Sequence, residues 1–331
     1  KLDLEGIALD GEGGFWLASE GRSDRLIPHA LYRVDAEGEI QDEIAFPPEL
    51  LAHEIRFGAE GVTRVGDVLW IAIQHEWGDD PKDMAAAAQR IEAEQFFGVD
   101  INFGCSEVSI CRQNCGAAIL KSPGRAAKIV SEVRKAISIP LFVKYRIGWE
   151  DNPRAAIDMA RRFEDAGADA LTFHPRIAPD RRSRPPKWEY IGMVKKAVAI
   201  PVFGNGNVFD RNDCLKMVTT SGCDGVAIGR MAIARPWLFA EWTDGYQGGS
   251  GLYLESALRL AELLETHFDS PQALRRFKKF SFYFSANFKF GHTLFSTIQK
   301  AETMTEAKEI LLRFFERPLE TVSRPNLNFF S

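Results

Sequence analysis

The chain has 331 residues, 45% of them apolar, and a formal net charge of -5. This suits a globular protein of one large domain or two ordinary ones, and the acidic balance leaves any nucleic-acid role to local basic clusters. No apolar run reaches the ~18 residues of a membrane helix and no signal-peptide pattern opens the chain. Five scattered cysteines point to a reducing compartment, so a cytoplasmic monomer without a membrane partner is expected.

Residues 1–82 read as β-structure. Short apolar runs at Phe15–Ala18, Ala30–Val34 and Val68–Ile73 are separated by Gly, Asp and Pro turns. Glu5-Gly6-Ile7 followed by Phe15-Trp16-Leu17-Ala18 recurs as Glu60-Gly61-Val62 followed by Leu69-Trp70-Ile71-Ala72, an echo 55 residues later at its first glutamate. Repeats of this length suggest propeller blades. The segments LEGIA, GGFWLASEG and AEGVTRVGDVLWIAIQ resemble the start of the esterase-like phytase family. That resemblance would make Glu5, Glu20 and Glu60 candidates to serve a metal; the competing reading is that they are turn residues.

Near Asp79–Lys82 the texture changes. Asp83, Met84 and the alanines that follow predict a capped helix to about Phe97. Strand Val99–Phe103, helix 124–137, strand Leu141–Tyr145, helix Pro153–Ala166, strand Ala170–Phe173, helix Trp188–Val198, strand Pro201–Gly204, helix Arg211–Thr220 and strand Gly225–Gly229 follow. From about Leu252 the pattern is helical, closing with a helix over Thr305–Phe315. Regular βα alternation with buried strands predicts an α/β fold, a TIM-type (β/α) barrel with five units present and incomplete at its N-terminal end. The expected parts are a β-rich propeller-like fragment (1–82), a barrel portion (83–245) and a C-terminal helical domain (246–331).

The strand ends read DINFGC, FVKYRIGW, LTFHPR, FGNGN and AIGR, placing polar residues and glycines at one end of successive strands, where barrels converge their catalytic groups. Gly204, Asn205, Gly206 and Asn207, with Gly229 and Arg230, fit a phosphate cradle, or else tight turns. Lys144 within a strand needs an anionic partner, either a reduced flavin or a structural carboxylate. His174 and Arg176 can donate to a flavin or a substrate phosphate, or be satisfied structural groups. Cys105 can act as a proton donor or be a small buried residue. The spacing of Cys105, Cys111 and Cys115 matches no common metal pattern, so no metal is expected there.

These motifs, with the GAAIL that follows DINFGC, the CDGVAIGR strand and PWLF, resemble the tRNA-dihydrouridine synthase family over residues 83–318. FKKFSFYFSANFKFGHTL is similar to that family's helical RNA-binding domain. The resemblance implies FMN as cofactor and NADPH as reductant, with hydride passed to C6 of a uracil in tRNA and Cys105 protonating C5. Asn102 and Arg146 would stabilise charge on the uracil, and Arg176 would contact substrate. Arg275, Arg276, Lys278, Lys279 and Lys289, interleaved with aromatics, would hold tRNA phosphates, or form a solvated face over an aromatic core. Arg181, Arg182 and Arg184 are further phosphate contacts on this reading.

VLWIAIQ mimics the family's third strand, which makes Gln74 a flavin contact and Val68–Gln74 a sixth barrel strand beside Val99–Phe103. The chain departs from the family pattern at Ser106, Val108 and Asn114-Cys115-Gly116, and with Asn207 in place of an acid. Counterparts of the family's first two strands are missing. Two alternatives to an active or impaired enzyme follow: a non-catalytic RNA-binding remnant, and an N-terminal metal-dependent esterase fragment.

Overall fold

A computed structural model describes residues 4–9, 15–19, 30–35, 39–45, 59–65, 68–73, 81–180, 184–249 and 251–325. Two compact units emerge, one of Leu2–Asn205 with Met217–Ala227, the other of Gly206–Lys216 with Ile228–Ser331. No helix among the described residues is long and apolar enough to cross a membrane.

In the first unit, β1 (Leu4–Leu9), β2 (Phe15–Ser19), β3 (Ala30–Val34) and β4 (Ile40–Ala45) form an antiparallel sheet in chain order. Ala30, Leu31, Tyr32 and Val34 of β3 are buried, whereas β4 is exposed from Ile40 to Glu43. Charged Asp42 and Glu43 on this outer strand discourage pairing with another chain. The second half of the 55-residue echo goes elsewhere. β5 (Ala59–Val65) and β6 (Val68–Ile73) make an antiparallel hairpin, and β6 pairs in parallel with β7 (Gly98–Phe103), Trp70 opposite Gly98 and Ile73 opposite Ile101. The two echoes therefore lie in different sheets, and the Val68 segment takes the sixth parallel position.

From β7 the sheet continues in parallel through β8 (Leu141–Gly148), β9 (Ala170–Ile177), β10 (Val202–Asn205) and β11 (Gly225–Ala227), giving a seven-stranded order from β5 to β11. The connecting helices are α1 (Pro81–Ala93), a short α2 (Val108–Cys111), α3 (Pro123–Ala136), α4 (Pro153–Asp165), α5 (Trp188–Lys195) and α6 (Arg211–Ser221). α1 starts at Pro81, two positions before the predicted cap Asp83, because proline is favoured in a first helical turn. It stops at Ala93, short of Phe97, as Gln95 turns to φ 61°.

α4 shows how sequence sets local structure. The Asn152 carbonyl oxygen of the side chain accepts from Arg154 N at 3.0 Å and Ala155 N at 3.4 Å, and Pro153 pre-sets φ in the first turn. Ala156, Met159, Ala160 and Phe163, at helical spacing, turn inward and are buried. Phe163 meets Phe103 at 5.6 Å and Tyr145 at 5.3 Å between ring centres, and Tyr145 meets Phe173 at 4.8 Å. These rings fill the helix-covered side of the sheet. The alternate residues, Asp100, Asn102, Lys144, Arg146, His174 and Asn205, point to the opposite side and are half-buried.

Carboxylates tie the N-terminal ends of the strands together. Glu92 accepts from Ser138 N at 2.7 Å and Ile139 N at 3.1 Å, and Glu164 accepts from Ala199 N at 2.7 Å and Ile200 N at 3.1 Å. Asp169 accepts from Leu141 N and pairs with Arg134; Asp224 accepts from Val202 N and pairs with Lys195. The same clasp thus recurs two strands apart. It follows a sequence echo, VRKAISIPLF at 133–142 and VKKAVAIPVF at 194–203.

The second unit is helical: α7 (Arg230–Ala234), α8 (Leu238–Thr243), α9 (Gly251–His267), α10 (Ser270–Phe284), α11 (Gly291–Lys300) and α12 (Met304–Phe315). Asp269 caps α10 through Gln272 N at 2.9 Å, and Thr303 caps α12 through Glu306 N at 3.1 Å. Phe277, Phe284, Phe288, Leu294, Ile298 and Leu311 make its core. Asn287, wholly buried, links the segments by donating to Ala234 O and Phe284 O at 2.8 and 2.9 Å and accepting from Arg235 Nε at 2.7 Å.

Candidate active site

The site of the first unit starts at the end of β7. Asn102 lies opposite Lys144 in the ladder, and Arg146 lies opposite His174, so these side chains share the polar side of the sheet. The Asn102 side-chain oxygen accepts from Gly104 N at 3.0 Å, and Arg146 Nε donates to Gly104 O at 2.7 Å. Gly104 is clamped from both sides. A Cβ there would lie 3.2 Å from Asn102 Oδ1 and 3.3 Å from Lys144 Nζ, so the missing side chain keeps this crossing open.

Cys105 follows the clamp and is half-buried. Its carbonyl accepts from Ala117 N at 2.7 Å and from the Cys111 thiol at 3.6 Å, closing the loop between β7 and α3. Gly116, at φ 55°, permits this closure, since a Cβ would come 2.7 Å from Cys105 O. Trp149 Nε1 donates to Ala117 O at 2.8 Å, tying the loop after β8 to the same turn. Burial pulls the Arg146 guanidinium below its ordinary range against the opposing influence of Cys105, Asp180 and Cys111, and its Nη1 is buried with no hydrogen-bond partner among the described residues. Burial likewise pushes the Cys111 thiol up.

His174 and Arg176 sit together near the end of β9, with Arg176 Nη1 and His174 Nε2 at 3.4 Å. Arginine can only donate, so a hydrogen bond here requires the Nε2 lone pair of His174 to face the guanidinium. Arg176 is 3% exposed and also donates through Nε to Arg184 O at 2.6 Å, which fastens the guanidinium to the following loop. Gln74, Arg181 and Arg182 lie outside the described residues, as do Glu20 and the side chains of Glu5 and Glu60.

One polar residue of this face escaped the sequence reading. Asp100 precedes Asn102 by two positions, and its Oδ1 is buried without a hydrogen-bond partner among the described residues. Burial pushes its carboxyl up to about 6, although Lys144 acts in the other direction. The period-two pattern DINFG, with Asp100 and Asn102 on one side, was the available signal. Asn205 ends β10, and its amide donates to Ala227 O at 2.8 Å, joining β10 to β11.

The second unit holds the remaining loop residues. Gly206 at φ 118° and Asn207 at φ 53° form two successive left-handed positions. Arg230, which starts α7 after Gly229, donates to the Asn207 side-chain oxygen at 2.9 Å and covers the Phe209 ring at 5.2 Å. Arg324 covers Phe209 at 5.5 Å and pairs with Asp210 and Asp213 at 2.8 and 2.6 Å. On α10, Arg275 and Lys279 are exposed, whereas Arg276 and Lys278 are half-buried, with Arg276 4.4 Å from the Phe268 ring centre. Ala273, Leu274, Phe277, Ser281 and Phe284 fill the inward side.

A parallel α/β sheet that brings Asn102, Cys105, Lys144, Arg146 and His174 to one end and one side has the organisation of a (β/α)-barrel enzyme. Residues 71–317 match the dihydrouridine synthase family, and the chain belongs to that family. Residues 1–97 match the model described as esterase-like activity of phytase. A Mycobacterium tuberculosis protein named "Probable tRNA-dihydrouridine synthase" is 34% identical over 246 residues, covering 71% of this chain and 63% of that protein. The tRNA-dihydrouridine synthase B of Pseudomonas aeruginosa is 36% identical over 164 residues, half of this chain and 49% of its own length. The chain therefore spans less than two thirds of these relatives. Among solved structures, a 2-naphthoyl-CoA reductase complex aligns with 50% of this chain and 29% of its own at 18% identity, and its TM-score of 0.41 carries no argument.

Proposed function

We propose that the chain is an FMN-dependent tRNA-dihydrouridine synthase that reduces the C5–C6 bond of a uridine in tRNA with electrons from NADPH. The observation that carries this reading is the clamp at Gly104, which places Asn102, Lys144 and Arg146 around the backbone that leads into Cys105. The residues fit a flavin. A lysine at an open glycine crossing suits the ring edge that becomes negative on reduction, and the unpartnered Arg146 Nη1 can donate to a carbonyl oxygen. In the second unit, Gly206 and Asn207 fit a phosphate group by their left-handed backbone, and Arg230, next to Gly229, by a guanidinium held on the Asn207 side chain.

Bound flavin would supply hydride transfer. The chain's own part is to hold the extruded uracil, steady negative charge on its carbonyl side through Asn102 and Arg146, and deliver a proton from Cys105 Sγ. His174 offers a further polar group beside Arg146. The exposed Arg275 and Lys279 of α10, with Arg276 and Lys278, hold tRNA phosphates on this reading.

The test is to titrate the full chain with FMN, follow the flavin band near ~450 nm, then add NADPH and tRNA and score dihydrouridine by mass. Stoichiometric uptake with a gain of two hydrogens per modified uridine is expected. A chain that takes up no FMN overturns the reading. That β5 and β11 end the sheet among the described residues favours an impaired or RNA-binding-only version, which would appear as salt-dependent tRNA binding without NADPH consumption.

A further inference from the structure

After α12 the chain doubles back along the helical unit. Lys289 N donates to Glu320 O at 2.9 Å, Val322 N donates to Asn287 O at 2.8 Å, and Arg235 Nη2 donates to Val322 O at 2.6 Å. Hydrogen bonds thus fix the segment as far as Val322, and Arg324 follows shortly after. A single nitrogen of Arg324, Nη1, reaches two carboxylates at once, Asp210 at 2.8 Å and Asp213 at 2.6 Å. The guanidinium also covers the Phe209 ring, 5.5 Å from its centre, and Arg230 lies 5.2 Å from the same centre.

An exposed ion pair seldom adds much to stability, because solvent screens it. This one matters for what it neutralises. Asp213 is 7% exposed and accepts from Phe209 N at 2.9 Å, which fixes the turn before α6. Asp210 accepts from Asp213 N at 2.7 Å and so caps α6. Both acids therefore serve local structure, and both closely follow Asn207, whose side chain accepts from Arg230 at 2.9 Å. Without a cation between them, two negative charges would stand beside the turn that carries Gly206 and Asn207. A phosphate, itself anionic, would be repelled there.

We propose that Arg324 is a positioning residue for the phosphate cradle: it cancels Asp210 and Asp213 and, with Arg230 on the other flank of Phe209, readies this turn for the phosphate of a flavin nucleotide. The proposal rests on the flavin reading above. It gives a part in cofactor retention to a residue near the end of the chain, far in sequence from the glycine-rich loop.

The experiment titrates the full chain with FMN and with riboflavin, which shares the ring system and lacks the phosphate. Binding is read by quenching of flavin fluorescence at low and high salt, beside thermal melts of the same preparations. Arg324→Gln is expected to bind FMN about tenfold more weakly at low salt. It should bind riboflavin as the parent does and melt close to the parent, because the arginine is exposed. The FMN deficit should shrink in high salt, which screens the two acids. Adding Asp210→Asn to Arg324→Gln should recover most of the loss, since asparagine still caps α6 and one repelling charge is gone. Equal weakening of FMN and riboflavin would mark a merely structural role and overturn the proposal. So would parental FMN affinity in Arg324→Gln, or no recovery on adding Asp210→Asn. A parent chain that binds neither flavin strikes the cofactor reading itself, whereas a parent that binds FMN with no dependence on Arg324 strikes this assignment alone.

Discussion

Arg146 Nε donates to the carbonyl of Gly104 at 2.7 Å, so a residue of β8 holds the peptide that immediately precedes Cys105. The cysteine's position is thereby set by a neighbouring strand as well as by its own loop. Cys105→Ala is expected to leave FMN uptake intact and to lower uridine reduction about a hundredfold or more, because it removes the thiol proposed as proton donor and leaves the clamp in place. Flavin titration and single-turnover assays on tRNA check both halves.

Gly104→Ala places a methyl group 3.3 Å from Lys144 Nζ and 3.2 Å from Asn102 Oδ1. The lysine end can swing away, so the fold should lose little, while the crossing proposed for the flavin closes. Weakened FMN binding with a melting temperature close to the parent's is expected.

Asp100 supplies a pH signature. Its folded carboxyl, pushed up from 3.8 to about 6 by burial, binds a proton more tightly than in the unfolded chain. The contribution of Asp100 to stability is therefore most favourable in acid, declines as pH rises from about 4 to about 6, and levels off above. Asp100→Asn removes this decline. Its advantage over the parent should grow across that window by up to about 3 kcal/mol, read from urea melts at several pH values.

The strand-end clasps predict equivalent losses at separated positions. Glu92→Ala strands the N–H groups of Ser138 and Ile139, and Glu164→Ala those of Ala199 and Ile200. Partial access of water limits each cost to about 1–2 kcal/mol, and the two should add because the sites share no partner. Burial and hydrogen bonding oppose each other at Glu92, and hydrogen bonds from Ser138 win, holding its carboxyl below the ordinary range. Its contribution should accordingly fade as pH drops through that range.

Asn287→Ala removes the buried amide that joins Ala234, Phe284 and Arg235. About 3 kcal/mol or more of destabilisation is expected. Limited proteolysis should show the segment near Val322 released early, since Arg235, which donates to the Asn287 side-chain oxygen, also donates through Nη2 to Val322 O at 2.6 Å.

Most of the α/β pattern was legible because buried β-branched strands and capped helices carry local signals. The predicted strands ended too soon, at Tyr145 and Phe173, while the ladder runs on to Gly148 and Ile177. Arg146, His174 and Arg176 looked like the start of loops, yet one side of such a sheet is polar, and the alternation that holds Lys144 continues through them. Asp100 was passed over for the same reason: a single acid in an apolar strand looks solvent-facing until its neighbours are known. The second N-terminal echo was legible in part: the likeness of VLWIAIQ to a family strand placed Val68–Gln74 beside Val99–Phe103, where β6 pairs with β7, whereas the hairpin partner β5 left no local trace.

The family matches overlap at residues 71–97, yet the backbone ladder crosses that overlap without a break, from β5 through β6 to β7. A phytase-like hairpin therefore serves as the border strand of a synthase-like sheet, and its reversed direction gives that border an antiparallel finish. Cutting the chain where ancestry changes would strip β7 of its neighbour and bare a row of amides. The two inheritances have become a single hydrogen-bonded fabric, separable on paper but not by a protease.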